Sequence, residues 1–91
     1  MNPAHIVTVR DFSPATLAAI AAQLEASTDF EHLVYRESEL DAVWSITGFF
    51  LAENSVAQDA VARLHETVHR AHDLVGEGRP REAAALLRTL L

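Results

Sequence analysis

Three histidines and a glutamate lie close together in the second half of this 91-residue chain. His65, Glu66 and His69 follow the spacing His-Glu-x-x-His, and His72 comes three residues later. Residues four apart share one face of a helix, so the two histidines of the motif could bind one zinc ion while the glutamate activates a metal-bound water. Such a site performs hydrolysis. The metal ligands that this pattern predicts are His65, His69 and His72.

The five positions from His65 to His69 resemble the zinc motif of the zincin metallopeptidases, which also lies on a helix. The resemblance implies peptide hydrolysis, with His65 and His69 as zinc ligands and Glu66 as the general base. A third ligand would come from Glu77 or Glu82, provided that the chain turns back after the glycines that precede them.

The residues around the motif favour a different interpretation. Arg63 and Arg70 flank it and would repel a dication, and a chain of 91 residues leaves little sequence for a substrate cleft. His65, His69 and His72 then form a polar stripe where the apolar face of a helix borders solvent. We therefore expect no catalytic residue, no cofactor and no enzyme activity, and we keep zinc as the alternative cofactor.

Composition limits the other functional classes. Apolar residues make up 49% of the chain and charged residues 22%, which predicts a packed core rather than disorder. The absence of cysteine excludes disulfides and thiolate sites. A net charge of −6 disfavours nucleic acid and anionic membranes as partners, and the longest nearly apolar run, residues 44–52, is too short to span a bilayer. We expect a cytoplasmic protein, and we attribute the arginine-only basic set and the many alanines to a bacterial source.

Helices are the elements that must position these residues. Hydrophobic periodicity and capping residues predict four of them, at residues 14–26, 38–52, 55–75 and 80–91. Residues 5–10 are rich in β-branched types and predict a short strand or extended arm, whose only internal partner is the segment 30–35. The predicted fold class is mainly α: a small four-helix orthogonal or bundle-like domain spanning residues 1–91, with residues 1–12 as strand or arm and 13–91 as the bundle. Helices two, three and four are expected to form its core.

The last two predicted helices resemble one helical hairpin of the tetratricopeptide-repeat type. The matching positions are Ala71, Leu74, Gly78, Ala83 and Leu87. Thr67 stands where the repeat has a tryptophan-like residue, and no second copy occurs upstream, whereas solenoids need several repeats to bury a core. We interpret the likeness as generic packing of a helix hairpin.

Acidic residues are concentrated in the first two thirds of the chain, where residues 1–60 hold nine acids against two arginines. A dense part of this set predicts a solvated acidic rim that could receive an arginine-rich partner surface. Its members are Asp29, Glu31, Glu37, Glu39 and Asp41.

Residues within the second predicted helix suggest an interface. Gly48 predicts the close approach of another helix, which we favour over a hinge at this position. Because Phe49 and Phe50 are adjacent, a single helix cannot bury both against one neighbour. Phe49, with nearby Trp44, therefore predicts a homodimer seam or a partner groove, and burial of the helix on two sides within the monomer explains the pattern equally well.

Leu90 and Leu91 end the last predicted helix and are further interface candidates. The function that these patterns predict is a non-enzymatic accessory or regulatory interaction module. Its partner is expected to be another protein, a second copy of the chain as a homodimer, or both. The alternative is a metal-binding protein or zinc-dependent hydrolase that uses the motif from His65 to His69.

Overall fold

A computed structural model describes residues 11–27, 29–53 and 59–91. These residues form four helices: α1 (Pro14–Ala26), α2 (Phe30–Glu53), α3 (Asp59–Gly76) and α4 (Pro80–Arg88). The mainly α class and the four helices are confirmed, and α1 has its predicted bounds, whereas α4 ends at Arg88 rather than at residue 91. The predicted strand at residues 5–10 and the predicted helix start at residue 55 lie outside the described residues. Within the described ranges, no helix combines the length and apolar character needed to cross a membrane.

The four helices pack in a ring, in which α2 contacts α3, α3 contacts α4, and α4 contacts α1, whereas α1 touches α2 only slightly. The expectation that helices two, three and four alone form the core was wrong, because α1 buries one whole face against α4. All four helices contribute to one apolar cluster. Its fully buried members are Leu17, Ile20, Ala21, Leu24, Leu40, Val43, Val68, Ala71, Val75, Ala83, Ala84 and Leu87.

Local capping explains where α1 begins. The Ser13 side chain accepts a hydrogen bond from the Thr16 backbone N–H at 3.3 Å, and Pro14 occupies the first helical position. Asp11 supports this start by accepting bonds from the Ser13 backbone and the Thr16 hydroxyl. Those bonds, with Thr16 as the larger cause, lower the pKa of Asp11.

The helix α2 begins eight residues earlier than the sequence pattern predicted, so the interpretation of residues 30–35 as a strand partner was wrong. Asp29 provides the start, because its carboxylate accepts a hydrogen bond from the His32 backbone N–H at 2.9 Å. Leu33 packs against the core, while Val34 and Tyr35 are exposed. The segment 30–35, which the sequence presented as a possible strand partner, is therefore the start of an amphipathic helix.

A buried ion pair lies within the first half of α2, and its arginine also forms a hydrogen bond to α1. Arg36 is 1% exposed and Glu39 is 6% exposed. The Arg36 Nε lies 2.9 Å from Glu39 Oε1, in an ion pair that is not a linear hydrogen bond, and Arg36 Nη1 donates to the Gln23 side-chain oxygen at 3.0 Å. The expectation that Glu39 belongs to a solvated acidic rim was wrong, since its partner lies one helical turn away in the interior.

A second ion pair, on the surface, joins the end of α1 to the end of α4. The Arg88 guanidinium donates to both oxygens of Glu25, at 2.8 and 2.7 Å. These bonds hold the pKa of Glu25 below its ordinary value and raise the pKa of Arg88. Sequence separation gave no hint of the contact, because the two residues meet only once α4 has folded back on α1.

Gly78 makes the turn between α3 and α4. Its φ of +78° is left-handed, a conformation that glycine adopts without steric cost. The Gly78 N–H donates to the Val75 carbonyl at 3.0 Å and the Arg79 N–H donates to the Leu74 carbonyl at 2.8 Å, which is the hydrogen-bond pattern of a Schellman motif. The chain reverses here and places α4 against α3 and α1.

Candidate functional site

His65 lies between α2 and α3 rather than toward solvent. Its ring stacks on the Trp44 indole, with 5.0 Å between ring centroids and 16° between planes. Its Nδ1 lies 2.7 Å from the Thr47 hydroxyl oxygen, and that hydroxyl is also 3.0 Å from the carbonyl oxygens of Val43 and Trp44. The Thr47 hydroxyl has a single hydrogen. When it donates that hydrogen to a carbonyl oxygen, its own oxygen accepts a hydrogen bond from Nδ1–H of His65. His65 therefore has a defined packing role at the helix interface.

Gly48 provides the space that His65 occupies. A Cβ atom at Gly48 would lie 3.1 Å from His65 Cε1, tighter than ordinary van der Waals contact. The prediction that Gly48 allows another helix to approach is confirmed, and the approaching group is this imidazole of α3.

We expect Gly48→Ala to change the free energy of unfolding by less than about 0.5 kcal/mol in the wild-type chain, because a helix-propensity gain of about 1 kcal/mol is offset by the contact with His65. In a His65→Ala background the same change should stabilise the protein by about 1 kcal/mol. Urea unfolding of the four chains in a double-mutant cycle measures the difference. Equal effects of Gly48→Ala in both backgrounds would contradict the contact.

The other two histidines face a groove beside α2. His69 Nδ1 and His72 Nδ1 each lie 3.8 Å from an oxygen of Asp73, and His72 Nε2 lies 3.9 Å from Glu37 Oε2. A hollow of about 170 Å³ is lined by Trp44, His69, His72, Asp73 and Asp41. Glu37 of α2 thus faces His72 across the groove, whereas Asp73 lies beside both histidines on α3.

A second hollow, of about 250 Å³, continues the groove toward the start of α2. It shares Asp41 and His72 with the first and adds Val34, Glu37 and Ser38. Together the two hollows follow the line along which α2 and α3 separate. Exposed residues of α2 line one side of this groove along its whole length.

The described ranges contain no group of three or more histidine or acidic side chains arranged to hold a metal ion. His65 is engaged with Thr47 and Trp44, whereas His69 and His72 lie near Asp73. Of the remaining residues that the zincin pattern would use, Glu66 is exposed on α3. Glu77 and Glu82 both contact Arg79. The assignment of His65, His69 and His72 as metal ligands stays a prediction.

A strip of six residues runs along the solvent side of α2, and we call it the α2 strip. Successive members are four, four, three, four and four residues apart, which keeps them on one side of the helix. All six are exposed: Phe30, Val34, Ser38, Asp41, Ser45 and Phe49. Phe30 is 81% exposed and Phe49 is 69% exposed, so a large apolar side chain stands at each end of the strip.

The predicted interface residues fall in two places. Phe49 is in the α2 strip, and Trp44 borders the strip. The Trp44 side chain is 38% exposed, and its indole ring contacts the rings of His65 and His69. At the C-terminal end, Leu90 packs against the chain's own core and Leu91 is 54% exposed. The sequence argument that only one of the two adjacent phenylalanines faces inward agrees with the structure, since the Phe50 ring packs against Phe12.

The apolar members of the α2 strip other than Phe49, namely Phe30 and Val34, were not predicted from the sequence. They follow the helical spacing of four residues, which was available as a signal. The composition of residues 30–35 predicted an extended segment, and the second helix was predicted to begin at residue 38. The helical spacing of Phe30 and Val34 therefore did not enter the prediction.

Comparison of this chain with known protein families, with curated proteins and with solved structures found no match.

Proposed function

We propose that this protein is a non-enzymatic interaction module, which binds a protein partner through the α2 strip. The observation that carries the proposal is the exposure of Phe30 and Phe49 on one side of a helix whose opposite side is already packed in the core. Burying such a side chain contributes about 1.5–3 kcal/mol, so two anchors on one face supply a substantial driving force for association.

The surroundings of these two anchors support the same proposal. Apolar Val34 continues the strip from Phe30, and the indole of Trp44 is exposed beside it. The groove between α2 and α3 gives the surface relief into which partner side chains fit. The strip thus has exposed apolar side chains at each end and polar side chains between them, and exposed apolar groups bordered by polar residues are typical of protein interaction sites.

Site-specific photo-cross-linking tests the proposal. Phe49 is replaced by p-benzoylphenylalanine, which keeps an aromatic side chain at the same position, and cells that make the protein are irradiated. The expected result is a cross-linked protein adduct of defined mass, which mass spectrometry then identifies. The matched control places the same residue at Ala85, an exposed position on α4.

A further variant has the same photo-cross-linker in place of Phe30. An adduct that forms from position 49 and from position 30, but not from position 85, supports binding through the α2 strip. Equal yields from all three positions would indicate random collisions and overturn the proposal. Absence of any adduct from positions 49 and 30, while the protein is folded by circular dichroism, would also overturn it.

A further inference from the structure

Negative charge is concentrated on α2. The charged side chains of this helix that reach solvent are all acidic: Glu31, Glu37, Asp41 and Glu53. Its one arginine, Arg36, is buried in the pair with Glu39. Five acids against one arginine give α2 a net charge of −4, out of −6 for the whole chain, whereas α3 and α4 expose arginines as well as acids. The helix that carries the α2 strip thus accounts for most of the acidic excess.

Carboxylates without a cationic partner line the groove between α2 and α3. The two hollows are lined by Glu37, Asp41 and Asp73, and none of their described lining residues is an arginine. Within the described residues, no hydrogen bond or ion pair engages Asp41. Glu37 and Asp73 lie 3.8 to 3.9 Å from imidazoles, which count as neutral at pH 7. On α1 and α4, by contrast, Glu25 and Glu82 are each bound by an arginine.

An exposed indole lies beside the Asp41 carboxylate in the first of these hollows. Trp44 is 38% exposed and follows Asp41 by three residues, so the two side chains are neighbours on α2. A guanidinium is planar and can lie over an aromatic ring while its N–H groups donate to a carboxylate. An ammonium group is a compact, strongly hydrated charge, so this combination favours arginine over lysine.

Building on the proposed function, we propose that the partner of the α2 strip is a basic amphipathic helix of a different protein, with an arginine that enters the hollow between Asp41 and Trp44. Apolar side chains of that helix cover Phe30, Val34 and Phe49. The net charge of −6 attracts a basic protein and opposes the approach of a second copy of this chain.

The length of the α2 strip fits a helical partner. Phe30 and Phe49 are nineteen residues apart, so about 28 Å separates them along α2. A helix of about 20 residues spans this distance, and such a helix binds a groove through apolar anchors three or four residues apart. Asp41 lies eleven residues after Phe30 and eight before Phe49. The arginine is therefore expected near the middle of the partner helix.

Synthetic peptides test the inference, with Trp44 as the reporter because it is the only tryptophan of the chain. Two helical peptides of about 20 residues contain no tryptophan and share leucines on one face. One has arginines beside the leucines, and the other has glutamines at the same positions. The arginine peptide should change the Trp44 fluorescence with a dissociation constant at least about tenfold lower than that of the glutamine peptide. Added salt should narrow this difference, because it screens the charges.

Three variants serve as matched controls, each checked for folding by circular dichroism. Asp41→Asn should raise the dissociation constant of the arginine peptide about tenfold and leave that of the glutamine peptide within about twofold. Glu25→Gln makes the same change in net charge at an exposed pair on α1 and should leave both within about twofold. Phe49→Ala should weaken both peptides, because it removes an apolar contact that they share.

Three results of the titrations would overturn the inference. The first is equal binding of the two peptides; if Phe49→Ala weakens both, the proposed interaction function stands and only the basic partner falls. The second is an equal effect of Asp41→Asn and Glu25→Gln, which would indicate attraction to the net charge rather than to the groove. The third is the absence of any fluorescence change with the arginine peptide at about 1 mM, where even weak complexes form.

The photo-cross-linked adduct from position 49 gives an independent test in cells. Its yield should fall in an Asp41→Asn background and persist in a Glu25→Gln background. An adduct that is insensitive to Asp41→Asn would leave the proposed interaction function standing and overturn the basic partner. An adduct of twice the mass of the chain would identify a second copy as the occupant and overturn the inference as well.

Discussion

Arg36→Met is expected to lower the free energy of unfolding by about 3–5 kcal/mol, a large share of the total stability of a small domain. The variant leaves the Glu39 carboxylate in the interior, 6% exposed, without the guanidinium that lies 2.9 Å away in the wild type. It also removes the hydrogen bond from Arg36 to Gln23, which joins α2 to α1. Urea unfolding followed by circular dichroism at 222 nm measures the loss.

The matched control removes both charges. Arg36→Met combined with Glu39→Leu should recover most of the stability, because an apolar pair of similar size avoids the cost of burying a charge. Arg88→Met tests an exposed arginine of the Glu25 pair and should cause a much smaller loss, since solvent screens that pair. A double variant as unstable as the single one would show that packing of the Arg36 side chain matters, rather than the charge left on Glu39.

The same ion pair explains why the start of α2 could not be predicted from the sequence. The buried side of the helix includes Leu33, Arg36, Leu40 and Val43, at steps of three, four and three. This is a regular helical period, but it is visible only if an arginine is accepted on the apolar face. Arginine and glutamate are almost never fully buried unless they are paired. The hydrophobic pattern therefore predicted a second helix that begins only at Ser38.

Elements with local signals could be predicted well. Ser13 and Pro14, which are adjacent in sequence, define the start of α1. Gly78 and Pro80 define the turn between α3 and α4. These signals depend on backbone geometry and capping, which do not require knowledge of a distant partner. The packing of α1 against α4 depends on contacts between residues far apart in sequence, and the sequence did not predict it.

The candidate site shows the same division. The adjacency of Phe49 and Phe50 left an interface and two-sided burial equally open, and the 69% exposure of Phe49 excludes its burial within the monomer. The role of His65 depended on residues from a different helix. Its spacing to His69 suggested a metal ligand, but its contacts are with Trp44 and Thr47. Gly48 was the local hint of this packing, and it could not identify which side chain fills the space.

The second large effect is expected in α4, the shortest of the four described helices at nine residues. We expect Leu87→Ala to lower the free energy of unfolding by about 2–5 kcal/mol, because Leu87 is fully buried and the helix packs against both α1 and α3. Leu91→Ala removes the same atoms from a side chain that is 54% exposed, and should change stability by less than about 0.5 kcal/mol. Urea unfolding of both variants measures the contrast.

The ring of helices also predicts where Leu87→Ala loosens the structure first. The main partner of α1 is α4, and its contact with α2 is slight, so loss of packing at Leu87 should let α1 and α4 open together. Amide hydrogen exchange should then quicken in α1 and α4 before it does in α2 and α3. An equal increase in all four helices would contradict this and indicate that the chain opens only as a whole. If the opening is confined to α1 and α4, the α2 strip keeps its supporting contact with α3, and photo-cross-linking from position 49 should persist in the variant.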